Sequence, residues 1–200
     1  LETLYKSFHT SGDVGKLWHK HHDNFCKFLM KYNKSKKLFE IGGAKGFLAQ
    51  RFLKEKRDRD ISWTIVEPNP EVRFKDDRLK IIKKFFDSNF KDNIYHSSVI
   101  HSHTLEHMYD PMKFLRSISK KMAVGSKMFI SIPNMFEALK RKYSNCINFE
   151  HSFFLREEHF YYMMEINNFK LIKKKKFLKD HSIFYCFEKI KRHKKKIKIE

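Results

Sequence analysis

The stretch LFEIGGAKGFLAQRF, residues 38–52, decides the fold of this chain. It places three of the six glycines of a 200-residue sequence within five positions, between an apolar run and a run with helical periodicity. Glycine has no Cβ, so the backbone can turn tightly there and approach a ligand closely. The stretch therefore predicts a buried strand, a glycine turn and a helix, an arrangement that binds nucleotide-type ligands at the carboxyl edge of a parallel sheet.

Patterns typical of strands and helices alternate along the rest of the chain. Apolar periodicity predicts helices over residues 13–32, 46–58, 110–125 and 156–167, with Asp13 and Asp110 as N-caps of the first and third. Strands are predicted over residues 36–42, 61–68, 78–86, 96–103 and 127–134, followed by a closing hairpin of residues 169–178 and 182–190. This alternation predicts an α/β fold, a three-layer, doubly wound, Rossmann-like sheet with mostly parallel strands and helices on both faces.

The length of the chain suits one domain with a sizeable core. We expect this single domain to span residues 1–190, with an N-terminal helical segment over about residues 1–36 and a basic, mobile tail over residues 191–200. No apolar run approaches the length of a membrane span, and the three cysteines are scattered, which fits a reducing compartment. The sequence therefore predicts a cytoplasmic protein without a membrane span.

The formal net charge of +20 leaves two explanations open. A basic surface attracts polyanions such as nucleic acid or nucleotide-linked substrates. The abundance of Lys, Phe, Ile and Asn and the scarcity of Gly and Pro are also what an A/T-rich genome produces, whatever the function. Nucleic acid thus stays open as a partner without being favoured, and the sequence does not fix the oligomeric state.

The residues around the glycine turn restrict its ligand. Gly46 is followed by Phe47 rather than by Lys-Ser/Thr, which excludes a phosphate-binding P-loop. Glu40, two residues before Gly42, would repel a pyrophosphate but suits a cofactor with a positive group, and S-adenosylmethionine carries an ammonium and a sulfonium. Glu67 at the end of the second strand can accept hydrogen bonds from both ribose hydroxyls, as it could in an NAD enzyme.

Four motifs then carry a family resemblance. FEIGGAKG, VEP, FFD and HTLEHMYDPMKFLRSI…ISIPN, taken in this order, resemble the class I S-adenosylmethionine-dependent methyltransferases, and most closely the branch that acts on sugars and other small metabolites. The resemblance covers about residues 38–134, with a weaker similarity in NFEHSFFL and the final hairpin. It implies about seven strands with the last one antiparallel. One departure is YHSS, where the family often has an acidic residue entering strand four.

The resemblance also implies a cofactor site. Glu40, Gly42 and Gly46 would hold the methionine part and Glu67 the ribose. Phe86 would pack on the adenine ring, Asp87 would accept from its exocyclic amine, and His103 and Leu105 would line the cofactor near its sulfur. The neighbouring residues Gly43, Ala44 and Pro68 complete the predicted cofactor-binding set.

Histidines supply the candidate catalytic groups. If the acceptor is a hydroxyl, a base should take its proton, and an imidazole with a pKa near neutrality suits this step. We expect His151, with Glu150 nearby, or alternatively His107 to be this base; a structural role for either histidine stays open. No metal site is predicted. The residues His19, His21, His22 and Asp23 resemble a metal cluster, but helical spacing puts His21 on another face.

The sequence therefore predicts a methyltransferase that uses S-adenosylmethionine, releases S-adenosylhomocysteine and methylates a small molecule. The expected acceptor is a hydroxyl of a sugar, a nucleotide-linked sugar or a surface-glycan precursor in a bacterium. Two alternatives remain open: an RNA methyltransferase that uses the basic surface, and a non-catalytic binding module with a degenerate methyltransferase fold.

Overall fold

A computed structural model of the chain describes residues 15–143, 151–152 and 154–191. Within them, seven strands form one sheet: β1 (Lys37–Ile41), β2 (Ser62–Val66), β3 (Leu79–Ile82), β4 (Ser98–Ser102), β5 (Lys127–Pro133), β6 (Phe169–Phe177) and β7 (Ser182–Lys189). The helices are α1 (Lys16–Tyr32), α2 (Phe47–Glu55), α3 (Pro111–Lys121), α4 (Met135–Lys140) and α5 (Glu157–Ile166), and residues Leu105–His107 form one 3-10 turn.

The strand order is β3-β2-β1-β4-β5-β7-β6. The first five strands are parallel, and β7 runs antiparallel to both β5 and β6. The central strands β1 and β4 are buried along almost their whole length, as expected for parallel strands with both faces covered. The predicted three-layer, doubly wound sheet whose last strand along the chain is antiparallel is confirmed.

Helices cover both faces of this sheet because each one buries an apolar stripe. On one face, Phe25 of α1 and Phe52 of α2 pack in a core with Trp63. On the other face, Phe114 of α3 and Phe160 of α5 pack in a second core. The switch in strand order between β1 and β4 lies at the carboxyl ends of these strands, where ligands of such sheets bind.

Most predicted elements lie within a few residues of their observed bounds, and the differences have local causes. Asp110 caps α3 as expected, since its Oδ1 accepts a 2.8 Å hydrogen bond from the backbone N–H of Lys113. The third strand ends at Ile82 rather than at Phe86, because its partner β2 ends at Val66 and pairing stops there. Asp13 and all of the predicted tail except Lys191 lie outside the described residues.

No helix in the described ranges is both long enough and apolar enough to cross a lipid bilayer.

Candidate active site

The glycine turn after β1 has a backbone that only glycine adopts easily. Gly42 has a φ of 76°, and its N–H donates a 2.9 Å hydrogen bond to the carbonyl of Val66, which ties the turn to the end of β2. A Cβ at Gly42 would lie 2.6 Å from Oγ1 of Thr104. Gly46, with a φ of 70°, is the N-cap residue of α2. Two neighbouring segments thus close on this turn and leave no room for a side chain at Gly42.

A cavity of about 640 Å³ opens beside the turn at the carboxyl edge of the sheet. This volume is typical of a small-molecule site. The cavity is bounded by the turn, by the ends of β2 and β3 and by the segment that follows β4. Six of the predicted cofactor residues lie on its wall: Gly42, Ala44, Glu67, Pro68, Phe86 and His103.

Glu67 places a carboxylate on the cavity wall. Its Oε2 accepts a 3.3 Å hydrogen bond from the N–H of Ala44, and its Oε1 accepts a 3.0 Å bond from the N–H of Asn69. These bonds fix the side chain between the glycine turn and the loop after β2. A carboxylate offers about four lone-pair sites, so it can still accept hydrogen bonds from a ligand.

Glu40 lies beneath the turn rather than on the cavity wall. Its Oε2 accepts a 2.9 Å hydrogen bond from Nε1 of Trp63, and a Cβ at Gly43 would lie 3.1 Å from its Cδ. Burial raises the pKa of Glu40 to about 7, and the charge of Glu67 adds to this rise, while the Trp63 bond opposes it. At neutral pH the carboxyl is therefore not fully ionised, which weakens the sequence argument that its charge repels a pyrophosphate.

The segment after β4 brings imidazoles and a carboxylate together. Nδ1 of His103 lies 3.1 Å from Oε1 of Glu106, and its Nε2 lies 2.9 Å from Oγ of Ser182. The rings of His107 and His151 meet edge to face with centroids 5.1 Å apart. His107 lines the cavity, whereas His151 does not. Burial raises the pKa of Glu106, but the neighbouring His103 and His107 more than offset this, so its pKa lies below the usual value.

Comparison with known proteins assigns the family. Residues 17–174 match the family model described as "Methyltransferase domain", which covers most of the chain. The chain belongs to this family. The predicted class of enzyme and its cofactor, S-adenosylmethionine, are thereby confirmed at the level of the family. No curated protein matches this methyltransferase in sequence.

Solved structures confirm the fold of this methyltransferase. One is the Burkholderia thailandensis 1,6-didemethyltoxoflavin-N1-methyltransferase with S-adenosylhomocysteine: TM-score 0.69, 11% identity, 95% of this chain and 88% of that chain covered. Another is the N-methyltransferase NodS from Bradyrhizobium japonicum WM9 with S-adenosylhomocysteine: TM-score 0.66, 10% identity, 94% of this chain and 97% of that chain covered. A third is the magnesium protoporphyrin IX methyltransferase of Synechocystis PCC 6803 with S-adenosylhomocysteine: TM-score 0.64, 9% identity, 94% of this chain and 92% of that chain covered.

The other predicted cofactor residues do not line the cavity. Besides Glu40, these are Gly43, Gly46, Asp87 and Leu105. Leu105 is fully buried in the core, and Asp87 is exposed, with its Oδ1 accepting a 2.8 Å bond from the N–H of Asn89. Their predicted contacts with the cofactor stay predictions. Of the catalytic candidates, Glu150 lies outside the described residues.

Several wall residues were missed by the sequence analysis: Arg73, Lys83, Phe85, Thr104, Met108 and Phe114. The sequence contained an indication for Phe85, because this residue belongs to the same FFD motif as Phe86. It contained one for Thr104 as well, since this residue lies between His103 and Leu105, which were both predicted to line the cofactor. Arg73 and Lys83 come from the non-helical loops that follow β2 and β3, and nothing in a lysine-rich sequence distinguishes them.

The histidines of α1 behave as their helical spacing predicts. His19 and Asp23 both contact Arg51 on the outer side of the helix. His21 lies on another face and is fully buried, with Nε2 2.9 Å from Oγ of Ser131. Burial and neighbouring histidines hold the pKa of His21 far below its usual value. Among the described residues, the α1 histidines do not form a cluster with metal-ligand distances.

Proposed function

We propose that this methyltransferase transfers a methyl group from S-adenosylmethionine to a hydroxyl of a small molecule. The expected acceptor is a sugar, a nucleotide-linked sugar or a surface-glycan precursor in a bacterium. The observation that carries the proposal is one cavity whose wall combines the glycine turn, the Glu67 carboxylate, the Phe86 ring and the histidines after β4.

The proposal assigns each of these groups to one part of the cofactor. The methionine part would lie at Gly42 and Ala44, and the ribose hydroxyls would donate to Glu67. The adenine would lie against Phe86, whose ring is packed between those of Phe90 and Phe114 and is thus held in place. The sulfonium would then point toward His103.

The methyl transfer needs little chemistry from the protein beyond alignment and activation. The acceptor oxygen forms a bond to the methyl carbon as the carbon–sulfur bond breaks. The electron pair of that bond remains on the sulfur, which becomes the neutral thioether of S-adenosylhomocysteine. The hydroxyl loses its proton, and His107 on the wall, with His151 against its ring, is the proposed activating pair.

Two observations support a small acceptor. Two of the solved structures with this fold are named for small acceptors, a didemethyltoxoflavin and a magnesium protoporphyrin. In this chain the exposed lysines of β6, namely Lys170, Lys173, Lys174, Lys175 and Lys176, lie away from the cavity wall. The RNA alternative predicts RNA binding that falls steeply with salt concentration. Salt-insensitive or absent RNA binding would eliminate it.

Calorimetric titration with S-adenosylhomocysteine tests the proposed cofactor site. We expect Glu67→Ala to weaken binding by about 1–3 kcal/mol, on the scale of lost hydrogen bonds to a charged group. Because Glu67 also accepts from two backbone N–H groups, Glu67→Gln serves as a second variant that keeps an acceptor oxygen.

Glu165→Ala, at an exposed position of α5, is the matched control and should bind like the parent protein. Unchanged affinity in both Glu67 variants would refute the ribose assignment. No binding of S-adenosylhomocysteine by the parent protein would refute the proposed function.

A further inference from the structure

Three side chains after β4 converge beside the cofactor cavity. One ligand atom from each of Glu106, His107 and His151 lies within 4.8 Å of the other two, and we name this set the Glu106 cluster. In a tetrahedral zinc site, with metal–ligand bonds of about 2.0–2.2 Å, ligand atoms are roughly 3.4 Å apart. Side-chain displacements of about 1 Å would bring the three ligand atoms to the distances that one zinc ion requires.

The carboxylate of this cluster is buried, and the charge that balances it comes mainly from neighbouring imidazoles rather than from hydrogen bonds. Glu106 is 5% exposed, and neither of its oxygens accepts a hydrogen bond from a described residue. Nδ1 of His103 approaches Oε1 to 3.1 Å, but not in the alignment of a hydrogen bond. Burying a carboxylate is unfavourable unless a cation or hydrogen-bond donors offset the loss of water. The site thus has a negative group that a cation would stabilise.

The backbone holds the cluster together. Glu106 and His107 lie in the 3-10 turn Leu105–His107, whose tight path lets ligand atoms of adjacent residues approach each other. Ser152 then fixes the position of His151: its N–H donates a 3.0 Å bond to the carbonyl of Glu106, and its Oγ donates a 2.8 Å bond to the carbonyl of Met108. Segments 44 positions apart in sequence are therefore joined at this point by hydrogen bonds to the backbone.

We propose that Glu106, His107 and His151 bind a divalent transition-metal cation at the acceptor end of the cofactor cavity. Two imidazoles and one carboxylate are one of the donor sets of catalytic zinc sites, which leave a further coordination position open. Imidazole ligands favour zinc, copper or nickel over magnesium, which prefers oxygen ligands and retains its water. The sequence analysis predicted no metal because it considered only the histidines of α1.

The role of this cation rests on the proposed function, whereas its binding does not. His107 belongs to the cavity wall, so a cation bound to its imidazole would border the space where an acceptor would lie. A cation held by these residues would lower the pKa of an acceptor hydroxyl bound to it, so that the hydroxyl would release its proton to solvent. The oxygen anion would take the methyl group as the carbon–sulfur bond breaks, and His107 and His151, the proposed activating pair, would then act as ligands of the cation.

Calorimetric titration of the metal-free full chain with Zn²⁺ tests the proposal. We expect one equivalent to bind at this site, and we expect Glu106→Gln, His107→Ala and His151→Ala each to weaken that binding at least about tenfold, since even outer partners of a metal site change affinity by 10- to 100-fold. His159→Ala removes an exposed histidine of α5 and should bind Zn²⁺ like the parent protein.

The variants are compared in the same experiment for binding of S-adenosylhomocysteine. His151 is only half-buried, so its replacement is the variant least expected to disturb the fold. If Zn²⁺ does not bind, or binds His151→Ala as tightly as the parent protein, the proposed cation site is overturned. The proposed function stands in that case as long as S-adenosylhomocysteine still binds. Zn²⁺ binding that requires the cluster, without S-adenosylhomocysteine binding, keeps the site and refutes the proposed function.

Discussion

Gly42→Ala is expected to lower the free energy of unfolding by about 2–5 kcal/mol and to abolish S-adenosylhomocysteine binding, because two unfavourable effects add. The φ of 76° at Gly42 lies in the left-handed region, where a Cβ is unfavourable by about 1–2 kcal/mol. The new Cβ would also lie 2.6 Å from Oγ1 of Thr104, and such overpacking is unfavourable by about 1–3 kcal/mol. Denaturant unfolding and calorimetry measure the two losses.

Gly125→Ala is the matched control for the backbone effect. Gly125 has a φ of 87°, but a Cβ there would have no atom within 4 Å. The control should lose only about 1–2 kcal/mol and keep cofactor binding. If the two alanine variants are equally stable and both bind S-adenosylhomocysteine, the close approach of Thr104 to the turn is not a constraint on this protein.

A double-mutant cycle isolates the steric effect further. Thr104→Ala removes Oγ1 and Cγ2, and the Cβ that remains would lie 3.4 Å from a Cβ at Gly42, which is an ordinary contact. The Gly42→Ala/Thr104→Ala protein should therefore be more stable than the sum of the single variants predicts, by about 1–3 kcal/mol. Additive effects would contradict the steric explanation.

The sequence predicted the fold well because the decisive signals are local. The glycine-rich stretch indicated strand, turn and helix within about 15 residues, and the observed elements are β1, the turn at Gly42 and α2. Asp110 and Pro111 likewise marked the start of α3. Such signals depend on backbone conformation and on nearby side chains, so they survive without knowledge of tertiary contacts.

The candidate site was predicted less completely because its geometry depends on contacts that are distant in sequence. Glu40 in β1 accepts a hydrogen bond from Trp63 in β2, and this bond sets the direction of the Glu40 carboxyl. The bond exists only because the two strands pair with each other. Glu106 and His107 are adjacent in sequence, and the 3-10 turn in which they lie brings their ligand atoms close together, which no helical or strand pattern indicates. No local pattern reveals that Ser152 fixes His151 beside them.

Glu40→Gln is expected to stabilise the protein, and by an amount that depends on pH. The folded-state pKa of Glu40 is about 7, against an ordinary value of 4.5, because the carboxyl is buried. The folded protein thus holds a proton that the unfolded chain releases, so the stability of the parent protein falls as pH rises from about 4.5 to 7. At 1.36 kcal/mol per pKa unit, the total loss of stability is about 3 kcal/mol and is complete above pH 7.

Glutamine does not titrate and keeps an oxygen to accept from Nε1 of Trp63. Glu40→Gln should therefore match the parent protein near pH 4.5 and be more stable by about 3 kcal/mol above pH 8. Denaturant unfolding over this pH range measures the difference, with Glu165→Gln on the exposed side of α5 as the control. A difference that does not change with pH would show that Glu40 is not a buried titrating group.

The same variant tests whether Glu40 serves the cofactor as predicted from the sequence. An ammonium near its carboxyl would favour the charged form, so the affinity of the parent protein for S-adenosylhomocysteine should increase as pH rises through 7. Glu40→Gln should lack this increase, although it is the more stable protein at high pH. An affinity ratio between the two proteins that is independent of pH would mean that Glu40 only supports the turn beneath Gly43, and that its interaction with Trp63 is structural.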